Sequence, residues 1–167
     1  MSNTHIIRFL RSAALAIVLL LATSAIAMAE EKAFTVGDVP NVHLSDARQY
    51  VSDPSGILSA SARDSINTTL ARLERQTGIE TAVVMLPDIG DADIFDFAHE
   101  LFRQWGIGKK KSDNGLLFLF VMSQHKIRIT TGYGLEATLT DALSKRIQTR
   151  YMVPRFKEGD WDGGMLA

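Results

Sequence analysis

Residues Gly115–Met122, Gly-Leu-Leu-Phe-Leu-Phe-Val-Met, are an unbroken apolar run. A run this short, apolar at every position, fits a strand covered on both faces, so the fold must place a layer on each side of a sheet. Ser123-Gln-His-Lys126 then supplies turn residues, and the chain returns through Ile127-Arg-Ile-Thr-Thr-Gly-Tyr-Gly-Leu-Glu136. Ile127 and Ile129 fall on one side and Lys126, Arg128 and Thr130 on the other, which is the alternation of a half-buried partner strand. A hairpin of these segments sets the entry to the first strand beside the exit of the second. Asp113 and Asn114 therefore lie next to the Gly132–Glu136 turn, a polar cluster on one edge of an apolar sheet.

The flanking segments supply the covering layers. Ala62, Ile66, Leu70 and Leu73 form one helical stripe, with Ser61 and Asp64 in capping-box spacing and Gly78 as the terminator. Ile79–Leu86 reads as a strand stopped by Pro87. Ile94, Phe97, Ala98, Leu101, Phe102 and Trp105 fall on one face of a second helix, capped by Asp91 or Asp93 and ended by Gly106. Strand, helix and strand from Ile79 to Met122 predict a right-handed crossover with two parallel strands. A third helix is expected from Leu139 to about Met152, with Thr138 and Asp141 boxing its start and Pro154 beyond its end. Residues 158–167 read as a turn into an unfinished helix, which predicts continuation past Ala167.

The first residues belong to export and not to the fold. Arg8 and Arg11 precede the apolar run Ala13–Ala22, and small residues follow at Ala25, Ala27 and Ala29. This is the pattern of a signal peptide spanning residues 1–29, cut after Ala29 or Ala27; an uncleaved anchor is the alternative. Removing residues 1–29 from 167 leaves 138, enough for one core. Lys+Arg falls from 18 to 16 while Asp+Glu stays at 19, so the mature charge is −3 and nothing favours nucleic acid as a partner. The chain has no cysteine, which excludes disulfides and thiol chemistry. Residues 30–49 have no clear period and read as an N-terminal arm or linker ahead of a domain at 50–167.

Several motifs match a known family. Val51-Ser-Asp53-Pro-Ser-Gly56-Ile-Leu58-Ser59 is similar to the opening of TPM domains, a name taken from a thylakoid lumen protein, a photosystem II repair protein and an acetylcholine-receptor modulator. The likeness continues through Leu101-Phe102, Trp105-Gly-Ile-Gly108, Asp113-Asn-Gly115, Gly132-Tyr-Gly134-Leu-Glu136 and Pro154-x-Phe156 to Gly159-Asp160. The resemblance implies an α/β fold, a three-layer sandwich around a short mixed β-sheet, displayed outside the cytoplasm. Many bacterial members continue into a transmembrane segment. Some are linked to weak acid phosphatase activity, calcium binding or assistance to membrane complexes, and no catalytic residue set carries across.

Asp113, Asn114 and Glu136 are the first candidate site. A hard cation such as Ca²⁺ takes about six to eight oxygens, and two carboxylates and an amide beside Gly132 and Gly134 supply part of that set. The simpler reading makes Asp113-Asn114 a turn before a strand. Asp88, Asp91 and Asp93 are the second candidate, at the ends of the parallel strands, with Asp53 as a further metal ligand expected on that side. Each also suits a helix cap. One metal site unites Asp53 with Asp113 and Glu136 only if the 51–58 segment crosses the sheet.

Gly132-Tyr-Gly134 lacks the third glycine of a nucleotide fingerprint. Lys109-Lys-Lys111 reads as a solvated loop. His43, His99 and His125 share no zinc spacing, and the serines have no partners for a hydrolase triad. The Asn67-Thr-Thr69 acceptor motif falls inside a helix. Three functions remain: an exported envelope accessory domain that binds calcium and a membrane protein partner, a weak metal-assisted phosphatase, or a structural interaction module.

Overall fold

The computed structural model describes residues 32–108 and 112–167. The signal peptide expected at 1–29 and the Lys109–Lys111 loop lie outside the described residues. Within residues 33–167 the chain builds a four-stranded sheet in the order β1-β2-β3-β4, from Val51–Ser52, Glu80–Leu86, Gly115–Val121 and Lys126–Thr131. β1 and β3 flank β2 in parallel, and β4 returns antiparallel to β3. The mixed sheet and its helical layers are the α/β sandwich that the family resemblance implies, with the apolar run buried between them as β3.

The period-3.6 stripes decide which helix covers which face. α1 is Ala60–Thr77 and α2 is Ile94–Trp105. Ser59 caps α1 by accepting from the Ala62 N–H at 3.1 Å, so the helix begins ahead of the expected Ser61 box. Asp93 caps α2, and Gly78 and Gly106 end the two helices with φ of 74° and 62°, values that cost glycine little. α2 lays Ile94, Phe97, Ala98 and Leu101 over Ala82, Val84, Leu86, Leu117, Leu119 and Val121. The opposite face carries Val83, Met85 and Phe120 beneath Ile66 of α1 and Met152 and Phe156 from the C-terminal helices. Burial of every β3 residue except the half-buried Phe118 follows from these two layers.

Beyond the hairpin, Tyr133–Glu136 makes one helical turn, followed by α3 at Asp141–Ile147, capped by Thr140 rather than Thr138. The helix does not stop before Pro154. A π-helical turn, Gln148–Met152, leads into α4 at Val153–Lys157, and this wider turn accommodates Pro154, which has no N–H to give to the preceding turn. α5, Trp161–Leu166, is the helix that the turn after Lys157 leads into, with Asp160 capping the Gly163 N–H at 2.8 Å. Its Trp161 ring lies 5.4 Å from Phe120 and 5.6 Å from Phe156. Among the described residues no helix is long and apolar enough to cross a membrane.

The segment ahead of β1 packs on the domain. Val39 is buried in the α2-side core with Phe34 and Val36 against it. The Phe34 N–H donates to the Asp88 carbonyl at 2.9 Å, and the Ser52 hydroxyl donates to the Pro40 carbonyl at 2.7 Å. Asn67, from the acceptor motif, is buried: its Oδ1 accepts from the Tyr50 N–H at 2.8 Å and its amide donates to Gln49 Oε1 at 2.9 Å. Burial, together with the bond from its hydroxyl to Glu74, pushes the Tyr50 phenol up to about 12.

Candidate functional site

The hairpin register, Leu116 opposite Thr131, carries the strand ends to a common edge. There the Gly132 N–H donates to the Gly115 carbonyl at 2.9 Å, and the Gly134 N–H donates to the Asp113 carbonyl at 3.0 Å. Both glycines are required by close backbone approach. A Cβ on Gly132 would strike the Asp113 carbonyl oxygen, and one on Gly134 would strike that of Ser112. Asp113 itself has φ of 46°, in the left-handed region that Asp tolerates better than most residues.

This packing opens a cleft of about 350 Å³ between α2 and β4. Asp113, Glu136 and Asp141 line it together with Phe95, His99 and Arg103 of α2 and Arg128 and Thr130 of β4. Arg128 pairs with Leu119 across the hairpin and so projects on the α2 side, where its guanidinium lies 4.5 Å from the Phe95 ring centroid. Its Nε is shut from solvent with no hydrogen-bond partner among the described residues. No local pattern announces that α2 contributes His99 and Arg103 here, because that contact spans the crossover. Among the described residues, no three His, Asp or Glu side chains converge as a metal-holding group.

Asp113 and Glu136 thus share one cleft, but Asn114 and Asp53 take other places. Asn114 turns toward the end of α1, its amide donating to the Gly78 carbonyl at 2.5 Å while its Oδ1 accepts from the Ser112 hydroxyl at 2.8 Å. Asp53 follows Ser52, which pairs with Val84, whereas Asp113 precedes Gly115, which pairs with Glu80. The two carboxylates therefore sit at opposite ends of the sheet, at least ~13 Å apart along the strands. The 51–58 segment does not cross. Asp53 is fully enclosed and accepts from the Ile57 and Leu58 N–H groups at 2.8 and 2.9 Å, with Arg63 at 3.5 Å.

Asp88 and Asp93 of the second acidic set are occupied with turn and cap bonds. Asp88 accepts from the Ser123 hydroxyl at 2.6 Å and the Gly90 N–H at 3.1 Å, bonds that hold its carboxyl below the usual range. Asp93 accepts from the Phe95 and Asp96 N–H groups. Gln124 of the hairpin turn donates to the Ala92 carbonyl at 2.9 Å, so the turn closes over this loop.

The comparisons agree with this architecture. The family model described as the TPM domain matches residues 51–167. The N-terminal domain of a protein from P. gingivalis, solved by solution NMR, superposes with a TM-score of 0.75 at 42% identity, covering 80% of this chain and 85% of that one. The BA42 protein from the psychrophilic bacterium Bizionia argentinensis gives 0.58 at 20% identity over 68% and 77%. The N-terminal domain of the cg2496 protein from Corynebacterium glutamicum gives 0.57 at 19% over 80% and 80%, so these last two speak for the fold alone. No curated protein matches at a significant level. With its motifs, its mixed sheet and more than half its length matched, this chain belongs to the TPM domain family.

Proposed function

We propose that the chain is an exported accessory domain of the cell envelope that assists a membrane protein complex, with a calcium ion held in the α2–β4 cleft. The observation that carries this reading is the packing of Gly132 and Gly134 on the Asp113 loop, which sets the Asp113 and Glu136 carboxylates in one cleft without an ion pair among the described residues. Asp113 and Glu136 are its protein ligands, and water completes the shell, as hard cations allow. Asn114 and Asp53 have no part, since each is bonded elsewhere. An ion bound only by the folded state stabilises it by about 2.7 kcal/mol at a hundredfold excess over its dissociation constant. Millimolar calcium should therefore raise the melting temperature of the wild type and not of Asp113→Ala or Glu136→Ala. An unmoved wild-type curve would sink the calcium reading.

Arg103 and Arg128 on the same cleft favour a second reading, a weak metal-assisted phosphatase. Guanidinium groups recognise phosphoryl oxygens, and a neighbouring cation polarises them. Turnover of an aryl phosphate should then fall at least tenfold in Asp113→Ala and in Arg128→Ala. Equal rates in wild type and variants would trace the turnover to a contaminant.

A further inference from the structure

The two edges of the sheet differ. β1 has two residues, and both are buried, Val51 at 5% and Ser52 at 0% exposure. That edge is shut. β4 has six residues, pairs among the described residues only with β3, and is buried at Ile129 alone. The Gly132–Gly115 bond fixes the phase of the ladder, because bonded pairs alternate with unbonded ones in antiparallel strands. Lys126, Arg128, Thr130 and Gly132 thus turn their backbone groups toward β3. Ile127, Ile129 and Thr131 turn theirs outward, and no group among the described residues meets them.

The cleft follows this edge. Consecutive strand residues alternate between the faces of a sheet, yet Arg128, Ile129, Thr130 and Thr131 all line it, and Gly132 and Tyr133 beyond the strand end continue it. Only a cleft running along the backbone edge touches four strand residues in a row. α2 forms the opposite wall with Phe95, 51% exposed, and Tyr133, 80% exposed, stands at the far end. An exposed strand edge beside a helix is the geometry in which extended peptides add to sheets.

Charge narrows the occupant. A residue added opposite Arg128 would project on the α2 side, toward a guanidinium that lies over Phe95 and has no carboxylate partner among the described residues. We propose that the outward edge of β4 accepts an extended polypeptide segment as a fifth strand, seated against α2 with an acidic side chain on Arg128. The inference rests on the accessory-domain reading and adds where the partner docks and what chemistry it presents. Its backbone bonds Ile127, Ile129 and Thr131, its acidic side chain meets Arg128, and its apolar side chains cover Phe95 and Tyr133.

The test is an NMR titration of the isotopically labelled protein with two synthetic peptides. One is Thr-Val-Thr-Glu-Thr-Val-Thr, acetylated and amidated, and the other has lysine in place of glutamate. The glutamate peptide should shift the Ile127, Ile129 and Thr131 amides and bind about tenfold more tightly, the difference expected of one charge-assisted hydrogen bond. Arg128→Glu should reverse that preference. Thr131→Pro removes an outward N–H but no bond to β3, so it should weaken both peptides while the β2 and β3 signals show an intact fold. Silent β4 amides at millimolar peptide, or equal affinity in all variants, would refute strand addition. Pairing of β4 with a second copy in sedimentation, or inorganic phosphate shifting the Arg128 signal where neither peptide does, would refute it too. Calcium stabilisation without a peptide response keeps the cation reading and removes this one, and the converse result does the opposite.

Discussion

Gly134 holds the candidate site together by having no side chain. Any Cβ there meets the Ser112 carbonyl, so the Asp113 loop and the Glu136 turn approach only because the position is glycine. Gly134→Ala should destabilise the protein by about 1–3 kcal/mol, the usual cost of overpacking, and displace the Asp113 amide signal. Denaturant melts and amide shifts check both effects. At the opposite end of the sheet, the Asp53 carboxylate is enclosed and satisfies two backbone N–H groups. Asp53→Ala leaves both donors and Arg63 without their acceptor and should cost about 2 kcal/mol, without altering calcium response. The adjacency of Asp113 and Glu136 was legible from residue counting, since a hairpin maps sequence distance onto space. The job of Asp53 was not. Its bonds depend on a tight turn that no periodicity announces, and acidic residues near helix starts look alike until their donors are seen.

Helices and long strands follow from local patterns, and here they did. α2 matches its stripe end to end because a cap, an apolar face and a glycine all agree. β1 escaped because two residues have no detectable alternation; it exists only by pairing with β2. The helix expected to end before Pro154 runs on through it, because the π-helical turn just ahead widens the backbone where proline cannot donate. α5 is tethered from far away: the Asp162 carboxylate accepts from the Ser59 N–H at 2.9 Å, at the start of α1. The Ser59 hydroxyl and N–H hold the Asp162 carboxyl below its ordinary range. A depressed carboxyl stabilises the fold above its unfolded pKa and loses that contribution as pH falls through the folded value. α5 should therefore loosen at acid pH, below the usual carboxylate range. Trp161 fluorescence, read in a Trp105→Phe background, should shift toward that of exposed indole there, and Asp162→Asn should abolish the pH step.

At the scale of the whole molecule, one core layer is closed by chain that precedes the family match. Val39 is 5% exposed, and Phe34 and Val36 pack beside it on the α2 face. Composition gave no hint of this, because three apolar residues without a period read as linker. Removing residues 33–40 should cost about 3 kcal/mol, taking about 1.5–3 kcal/mol for a buried aliphatic side chain and less for the half-buried pair. A melting temperature lower by roughly 10 °C, measured by circular dichroism, is the expected outcome. The same segment bonds Ser52 beside the two-residue strand β1. Fibrous growth requires a template with two receptive borders, each recruit offering the next a free margin. With one margin sealed, recruitment would end after a single added segment, so strand addition at the open border cannot propagate into a filament.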